Sequence, residues 1–300
     1  MSEPFVVIVI LNTNRRQDTL ECLTSLRQNS YKNHQIIVLD NNSTDNSVPA
    51  IQAEFPEVQI IELVENLGYA GNNNVGIEAA VTQGADWILV SNEDTILDSE
   101  CLAHLVEMGE SDDRIGIVGP MVYHYDEPDI IQSAGGYFGP YWDSFHYGKD
   151  EIDEGQYTNP HLVDWISGCA IMVRKEVINQ VGALDARFFY FWEETEWCLR
   201  AGKKDWLVMH VPQAKIWHKG VQRNYNPKPS LAYYGTRNRF LMLSKHHAPL
   251  QVWVLAWAQT LRTLTSWTLK PKWRDKHKHR DAMWHGIVDF LLRRWGAMPS

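Results

Sequence analysis

Apolar and polar positions alternate in a regular order through the first third of the chain. Short runs rich in β-branched residues, typical of strands buried on both faces of a parallel sheet, are separated by stretches whose apolar residues recur at helical spacing. The pattern predicts strands at residues 5–11, 36–39, 58–63 and 87–90, and helices at 18–28, 48–54, 71–83 and 99–108. Because strands and helices alternate with short polar links, the sequence predicts an α/β fold on a mostly parallel, Rossmann-like sheet.

The pattern changes in the middle of the chain. Residues 123–159 are aromatic and glycine-rich, and they are predicted to be irregular, either as a carbohydrate-binding loop or as a roof over the core. Residues 164–174 are mainly apolar and predict a buried strand, followed by a helix at 175–181. A dense aromatic run at 188–192 then leads into a helix that begins at Glu193, and Gly202 is expected to close this helix in a left-handed conformation.

The last part of the chain predicts a helical extension, so we divide the sequence into a catalytic domain at 1–245 and an extension at 246–300. Tryptophans are interleaved with basic residues in the extension, and its apolar run at 250–261 is well short of the ~20 residues that a spanning helix needs. Two interpretations stay open. The helices pack on the catalytic domain or on a second subunit of a homodimer, or they form an amphipathic anchor in the plane of a membrane surface.

Composition and charge narrow the function classes. The formal net charge of −9 argues against nucleic-acid binding, because neutralising phosphates needs a basic face. The four cysteines are scattered without a C-x-x-C pair, which predicts neither a disulfide framework nor a cysteine zinc site. No signal peptide is evident at the N-terminus, so we expect a cytoplasmic protein, with the basic extension offering a peripheral contact at the inner face of the cell membrane.

Polar clusters follow three of the predicted strands. They occupy residues 12–15, 40–45 and 91–95, and the carboxyl ends of parallel strands meet at one edge of a sheet, where ligands collect. The first cluster contains no glycine, so the G-x-G-x-x-G turn of a dinucleotide dehydrogenase is missing. The sequence therefore predicts one polar ligand site that is not a hydride-transfer site.

Two further features suggest that the ligand carries phosphate. The loop at 66–76 combines glycines with asparagines before a helix, so it is either a tight turn or a place where backbone N–H groups face a pyrophosphate. Asp94, assisted by Glu93, lies where a hard cation such as Mg²⁺ or Mn²⁺ would join one or two carboxylates to phosphate oxygens.

Two adjacent carboxylates, Glu193 and Glu194, open the helix after the aromatic run. The positive end of a helix dipole favours the ionised form, so we expect Glu194 to be deprotonated near pH 7 and able to accept a proton. An acidic first turn is also stabilising by itself, so these residues alone leave a structural role open.

Ordered blocks across residues 5–245 resemble glycosyltransferase family 2, the inverting nucleotide-sugar transferases of the GT-A fold, and within it the rhamnosyltransferase-like members of surface polysaccharide pathways. The blocks include VVIVILNTNR, IIVLDNNSTDNS, NLGYAGNNNVGI, ILVSNEDT, DWISGCAIMVRKEV and GALDARFFYFWEETEWCLR. The resemblance implies that Asp40 contacts the nucleobase, that Asp94 and His218 bind the metal, and that Glu194 is the base beside Glu193. The implied donor site also includes Thr13, Asn14, Arg15, Asn66, Gly71, Asn74, Asn92, Glu93, Trp165 and Gly168.

The resemblance implies a metal-dependent transferase that moves a sugar from a dTDP- or UDP-sugar to a hydroxyl of a saccharide or lipid-linked saccharide, with Mg²⁺ or Mn²⁺ as cofactor. The sequence departs from the family pattern at two positions: a Glu-Asp pair is replaced by Glu193–Glu194, and Asn92 takes the first position of an Asp-x-Asp motif. A catalytically silent sugar-binding scaffold of the same fold stays an alternative, although it would not need these carboxylates. A nucleotidyltransferase would need a glycine-rich basic loop near the N-terminus, which is missing.

Overall fold

The computed structural model describes residues 3–220 and 226–299. In its first part, four strands alternate with three helices as the sequence predicts. The elements are β1 (Val6–Asn12), α1 (Arg16–Arg27), β2 (His34–Asp40), α2 (Ser47–Glu54), β3 (Gln59–Glu62), α3 (Gly68–Thr82) and β4 (Trp87–Asn92). These strands lie side by side in the order β3–β2–β1–β4, and every neighbouring pair is parallel.

The next part of the chain widens the same sheet. Its elements are β5 (Thr95–Leu97), α4 (Cys101–Glu110), β6 (Ile115–His124), β7 (Ile131–Ser133), β8 (Gly136–Phe138), β9 (Ser144–His146), β10 (His161–Leu162), β11 (Ala170–Arg174), α5 (Lys175–Val181), α6 (Glu193–Gly202) and β12 (Leu207–His218). Strand β11 is antiparallel to both β4 and β6, whereas β12 is parallel to β6. The result is a mixed but mostly parallel sheet, which confirms the predicted fold class.

Three local predictions need correction. The predicted strand at 164–174 is a strand only over Ala170–Arg174, because the chain turns at Gly168–Cys169. The region 123–159 is not irregular throughout, since it contains the end of β6 and the short strands β7, β8 and β9. Gly202 is the last residue of α6 and does not adopt a left-handed conformation; Asp205 does, with φ of 65°.

The long strands β6 and β12 were not predicted from the sequence. Strand β6 is buried along its whole length, but Gly116, Gly119 and Pro120 weaken its strand pattern. Gly119 is required by packing, because a Cβ atom there would lie 2.1 Å from Cγ2 of Ile166. Strand β12 contains an irregularity between Val211 and Lys215 that interrupts its alternation.

Two apolar layers hold the sheet between helices. Helices α1, α2 and α4 cover one face with residues such as Leu23, Ile51 and Leu105, and helices α3, α5 and α6 cover the other face with residues such as Ile77 and Trp197. All four cysteines are buried and free. The helices on both faces leave the carboxyl ends of the parallel strands open as the place for a ligand.

The chain continues into three helices, α7 (Pro229–Lys245), α8 (Leu250–Leu269) and α9 (His277–Leu291). Helix α7 approaches α9 closely at Gly286, and the hydroxyl of Tyr233 donates to Oδ2 of Asp289 over 2.7 Å. Trp253 and Trp257 of α8 stack on Phe240 of α7. These two tryptophans are therefore packed within the protein, as one of the two interpretations expected.

The predicted division after residue 245 falls between α7 and α8, and as a division into domains it stays a prediction. Within the described ranges, none of the helices combines the length and the hydropathy needed to cross a membrane.

Candidate functional site

A cavity of about 620 Å³ opens at the carboxyl ends of β1 and β4 and is bounded by the start of α6. Residues from widely separated parts of the chain meet there. Nine of the residues singled out from the sequence line it: Thr13, Asn66, Asn92, Glu93, Asp94, Gly168, Glu193, Glu194 and His218. The topology of the sheet therefore brings the predicted metal ligands and the predicted carboxylate pair to one cavity, which we call the strand-end pocket.

Three other predicted residues shape the edge of the strand-end pocket without lining it. Asp40 is buried and accepts hydrogen bonds from Nδ2 of Asn12 over 2.7 Å and from the backbone N–H of Ser43 over 2.9 Å. Oδ1 of Asn14 accepts from the backbone N–H of Thr44 over 2.8 Å, and Arg15 forms an ion pair with Asp18. These contacts fix the turns after β1 and β2 beside Thr13.

The remaining three predicted residues do not line the strand-end pocket, and each makes contacts within the fold. Asn74 makes two hydrogen bonds with the backbone of Leu184, so its amide is occupied. Gly71 allows α3 to approach Leu67, whose Cβ would lie 2.5 Å from a Cβ at this position. Trp165 is buried against Gly136 and the ring of His146, and it does not line the pocket.

The carboxylate pair follows a segment of strained backbone. Phe189, Phe191 and Trp192 have φ values of 64°, 75° and 80°, which side chains other than glycine rarely adopt. Such conformations cost of order 1–3 kcal/mol each and persist only where neighbouring groups hold them. The strain turns the chain so that Glu193 and Glu194, at the start of α6, face the pocket.

Two residues of α7 hold this segment, and the sequence reasoning did not identify them. Nδ2 of Asn238 donates to the carbonyl oxygens of Phe188, Tyr190 and Phe191 over 2.7–2.8 Å. Arg237, also fully buried, donates from Nη2 to the carbonyl of Phe188 over 2.9 Å. Both belong to the string TRNRF, which in the sequence looks like one polar turn of an ordinary helix.

Burial changes the electrostatics of the carboxylate pair. Burial raises the pKa of Glu193 well above its usual range, and the charge of Glu194 raises it further. Burial also raises the pKa of Glu194, although backbone N–H groups at the helix start and at Gly168 act in the opposite direction. Backbone N–H groups at the helix start thus favour the ionised form of Glu194, as the sequence predicts, but burial opposes them and the pKa is raised. That Glu194 is deprotonated near pH 7 stays a prediction.

Asp94 and His218 meet on the other side of the strand-end pocket. Oδ1 of Asp94 lies 3.1 Å from Nε2 of His218, and both side chains are almost fully buried. Nδ1 of His218 is 2.9 Å from Oε1 of Gln132, which can accept its proton, and Nε2 faces the carboxylate of Asp94. Although burial acts in the opposite direction, His218 and Arg15 hold the pKa of Asp94 below its usual value.

This arrangement suits a divalent cation. Two donors bound side by side to an octahedral cation at 2.0–2.1 Å are about 3 Å apart, which matches the distance between Asp94 and His218. Among the described residues no group of three or more His, Cys, Asp or Glu side chains is placed to hold a metal. The protein thus offers two donors, and a bound cation would take its other ligands from phosphate oxygens and water.

Aromatic side chains and one cation complete the strand-end pocket. Phe189 stacks on Tyr234 with a 12° interplanar angle, and Tyr69 donates from its hydroxyl to the carbonyl of Gly168 over 2.6 Å. Lys149, from the region predicted to be irregular, also lines the cavity. Flat apolar rings beside hydrogen-bonding groups are typical of sites that bind a sugar ring.

Comparison with known proteins places the chain among sugar transferases. Residues 6–182, more than half of the chain, match the profile of Glycosyl transferase family 2. A curated relative from Mycobacterium tuberculosis, the N-acetylglucosaminyl-diphospho-decaprenol L-rhamnosyltransferase, is 27% identical over 80% of this chain and 86% of its own length. The dTDP-rhamnosyl transferase RfbF of Shigella flexneri is 28% identical over 94% of this chain and 95% of its own length.

A solved structure shares the fold. The mannosyltransferase PcManGT from Pyrobaculum calidifontis, in complex with GDP-Man and Mn²⁺, superposes with a TM-score of 0.62 over 98% of this chain and 89% of its own, at 13% identity. The GT-A fold predicted from the sequence is therefore confirmed.

Proposed function

The chain belongs to glycosyltransferase family 2 and is a sugar-transferring enzyme, and from this premise we propose that it is a metal-dependent inverting rhamnosyltransferase. The proposed reaction moves rhamnose from a dTDP-sugar to a hydroxyl of a saccharide, and the acceptor is linked to a lipid. The observation that carries the proposal is the strand-end pocket, where two adjacent buried carboxylates and an aspartate–histidine pair face one cavity.

In the proposed mechanism Glu194 is the general base. It takes the proton of the acceptor hydroxyl as the acceptor oxygen attacks the anomeric carbon from the side opposite the diphosphate. Glu193 holds a proton, so a second negative charge does not oppose ionisation of Glu194. A single displacement of this kind inverts the anomeric configuration.

Asp94 and His218 are the proposed residues that hold the divalent cation, Mg²⁺ or Mn²⁺, against the diphosphate of the donor. A bound cation would supply electrostatic stabilisation of the leaving diphosphate. Mn²⁺ in the mannosyltransferase structure of the same fold supports this assignment. Asn92 lies beside the pair, with Nδ2 3.4 Å from Nε2 of His218, and we assign its amide to the donor diphosphate.

The donor would lie along the strand ends. Asp40 and the turns that carry Thr13 and Asn14 are the proposed nucleobase and ribose contacts, and Arg15, Asn66 and Glu93 the contacts around the diphosphate. Gly168 and the aromatic wall form the proposed sugar subsite. The relatives that transfer rhamnose support dTDP-rhamnose as the donor, and the diphospho-decaprenol acceptor in the name of one of them supports a lipid-linked acceptor.

The proposal is tested with a panel of nucleotide sugars. The full chain is incubated with dTDP-rhamnose, UDP-sugars and GDP-mannose, each with Mn²⁺, with Mg²⁺ or with a chelator, and donor turnover is measured with and without saccharide acceptors. We expect turnover of dTDP-rhamnose that needs a divalent cation, and NMR of the product should show an inverted anomeric centre. Retention of configuration, or turnover that the chelator leaves unchanged, would contradict the proposed mechanism.

A lipid-linked acceptor requires the enzyme to work at a membrane surface, and we propose that α8 makes this contact at the cytoplasmic face. Outward-facing apolar residues recur at helical spacing along this helix; they are Leu250, Val254, Ala258, Leu261 and Leu269, and we call them the α8 stripe. Basic residues at 270–280 follow directly in the chain. Apolar residues beside cations suit a surface of anionic lipid.

A further inference from the structure

A second cavity, of about 860 Å³, lies between the β8–β9 hairpin, α7, α8 and the start of α9. It is separate from the strand-end pocket and contains none of the residues assigned to the donor. Four of its lining residues, Arg239, Arg262, Lys276 and His279, are basic or can become so. Among the described residues that line it, Asp143 is the one carboxylate. We call this space the helical cavity.

Arg239 brings a buried donor to the helical cavity that the described residues leave without a partner. The Arg239 side chain is 16% exposed; it forms an ion pair with Asp143 over 2.7 Å and donates from Nη1 to Oε1 of Gln259 over 2.8 Å. Its buried Nε has no hydrogen-bond partner within the described ranges. An unsatisfied buried donor costs about 1–3 kcal/mol, which oxygen atoms of a bound anion would relieve.

The rest of the helical cavity is apolar and aromatic. Phe145, Trp192, Phe240 and Trp267 line it together with Leu231 and Met283. A small inorganic anion would make no favourable contact with these apolar walls. The lining therefore fits a ligand that joins an anionic group to an apolar chain or a sugar face.

The wall between the two cavities is one layer of residues. Trp192 lines the helical cavity, and the next residue, Glu193, lines the strand-end pocket. In the same way Phe145 lines the helical cavity and His146 lines the strand-end pocket. Gly235 lines the helical cavity, and a Cβ atom there would lie 3.6 Å from Phe191, which lines the strand-end pocket. The helical cavity therefore lies directly behind the wall of the strand-end pocket, on the side that carries the carboxylate pair.

We propose that the helical cavity binds the phosphate or diphosphate that joins the acceptor saccharide to its lipid. This inference rests on the proposed function, because it needs an acceptor whose hydroxyl reaches Glu194. Arg239, Arg262 and Lys276 contact the phosphate oxygens, and the aromatic walls contact the first part of the lipid. The donor diphosphate is assigned to Asp94 and His218, so the two anionic groups occupy different cavities.

The test uses the full chain and three soluble probes, farnesyl diphosphate, inorganic pyrophosphate and farnesol. The strand-end pocket is first saturated with dTDP and Mn²⁺, and binding is followed by calorimetry and by the fluorescence of the cavity tryptophans. We expect farnesyl diphosphate to bind at least about tenfold more tightly than pyrophosphate or farnesol, because it combines the two parts that the cavity fits. Equal binding of pyrophosphate would overturn the lipid-linked assignment, and displacement of dTDP by farnesyl diphosphate would place the probe in the wrong cavity.

Variants locate the site. Lys276→Ala and Arg262→Ala remove cations that lie at the mouth of the cavity, and each should weaken farnesyl diphosphate binding at least about tenfold through a lost charge-assisted contact. Lys278→Ala removes an exposed cation two residues from Lys276 that does not line the cavity, and it is the matched control. Unchanged affinity in both cavity variants would overturn the proposal.

The same variants separate this inference from the proposed function. Lys276→Ala should keep its affinity for dTDP-rhamnose and its metal-dependent donor hydrolysis, because both depend on the strand-end pocket. If donor hydrolysis fails in the wild-type protein while farnesyl diphosphate binds through Lys276, the donor assignment is wrong and the cavity assignment stands. If the wild-type protein hydrolyses the donor but does not bind farnesyl diphosphate, only the cavity assignment is wrong.

Discussion

At the scale of single residues, a change at Glu194 is the most direct test of the proposed chemistry. The change Glu194→Gln keeps the shape of the side chain and removes the proton acceptor, so turnover should fall by about 10²–10⁴ while nucleotide affinity is kept. Because burial raises the pKa of Glu194, turnover of the wild-type enzyme should decline as the pH falls through a value above 4.5, the ordinary value for this group. Steady-state rates between pH 4 and 9 and dTDP binding by calorimetry measure both effects.

Glu193→Gln is the matched control for this assignment. A protonated glutamic acid and a glutamine are similar in size and charge, so a residue that mainly holds a proton tolerates the change better than a base does. We expect the loss of turnover in Glu193→Gln to be at least about tenfold smaller than in Glu194→Gln. If Glu194→Gln kept nearly normal turnover and Glu193→Gln did not, the base would be Glu193.

Asp94 and Asp40 allow the metal and nucleobase roles to be separated. Asp94→Ala removes the carboxylate from the proposed cation site, so donor affinity in Mn²⁺ should fall at least about tenfold. Asp40→Ala should weaken binding of the nucleoside even when no divalent cation is present. Calorimetry with dTDP-rhamnose and with thymidine, each with and without Mn²⁺, measures both changes. Unaltered metal dependence in Asp94→Ala would show that the cation binds elsewhere.

At the scale of elements, the strained segment before α6 depends on α7. Asn238 donates to three carbonyl oxygens across 47–50 positions of sequence, and it holds Phe189, Phe191 and Trp192 in conformations that the chain would otherwise leave. Asn238→Ala should destabilise the protein by about 1–3 kcal/mol and should also lower turnover at least about tenfold, since the carboxylate pair loses its support.

The control for Asn238 is Asn29→Ala. Asn29 is also fully buried and donates to a backbone carbonyl, that of Asp98, but it lies at the end of α1 and does not line the strand-end pocket. Both variants are compared by urea denaturation and by turnover at a temperature where each is folded. A similar loss of stability in both, with turnover lowered only in Asn238→Ala, is the expected result. Normal turnover in Asn238→Ala would show that Asn238 contributes to stability but does not position the carboxylate pair.

The elements also show how far the sequence determines the fold. Strands β1, β2 and β4 could be predicted because they are short β-branched runs buried on both faces, and their ends identified Thr13, Asn92 and Asp94 as neighbours. Strand β6 could not, because Gly116, Gly119 and Pro120 contradict the local pattern and are explained only by Ile166 and other packing partners.

The candidate site was predictable to a similar degree. The site residues that follow strands could be predicted, because the predicted sheet places strand ends together. The hydrogen bonds from Asn238 to the aromatic segment could not, because they are tertiary contacts that leave no pattern in the local sequence. The raised pKa of Glu194 could not be predicted from the sequence either. It follows from burial, whose effect on the pKa is larger than that of the helix dipole that the sequence suggests. The helical cavity likewise exists only because α7, α8 and the β8–β9 hairpin meet.

At the scale of the whole molecule, charge and apolar surface are unevenly distributed. The net charge is −9, yet after residue 261 nine basic residues face three acidic ones: Arg262, Lys270, Lys272, Arg274, Lys276, Lys278, Arg280, Arg293 and Arg294 against Asp275, Asp281 and Asp289. Trp253 and Trp257 are partly buried against Phe240, whereas Leu250 is 77% exposed and Leu269 is 73% exposed. A membrane contact would therefore be made by the α8 stripe with cations beside it.

The last prediction is that the α8 stripe brings the full chain to anionic vesicles. Each basic residue near the surface contributes about 1 kcal/mol at low salt, and the inserted leucines add apolar burial. Val254→Glu and Leu261→Glu should each lower the bound fraction in co-sedimentation at least about threefold, because a carboxylate enters the interface. Leu162→Glu changes an equally exposed residue on β10 and should leave binding unchanged. If the stripe variants and this control bind equally, α8 does not face the membrane, and sedimentation velocity should then be used to look for a dimer that buries the stripe.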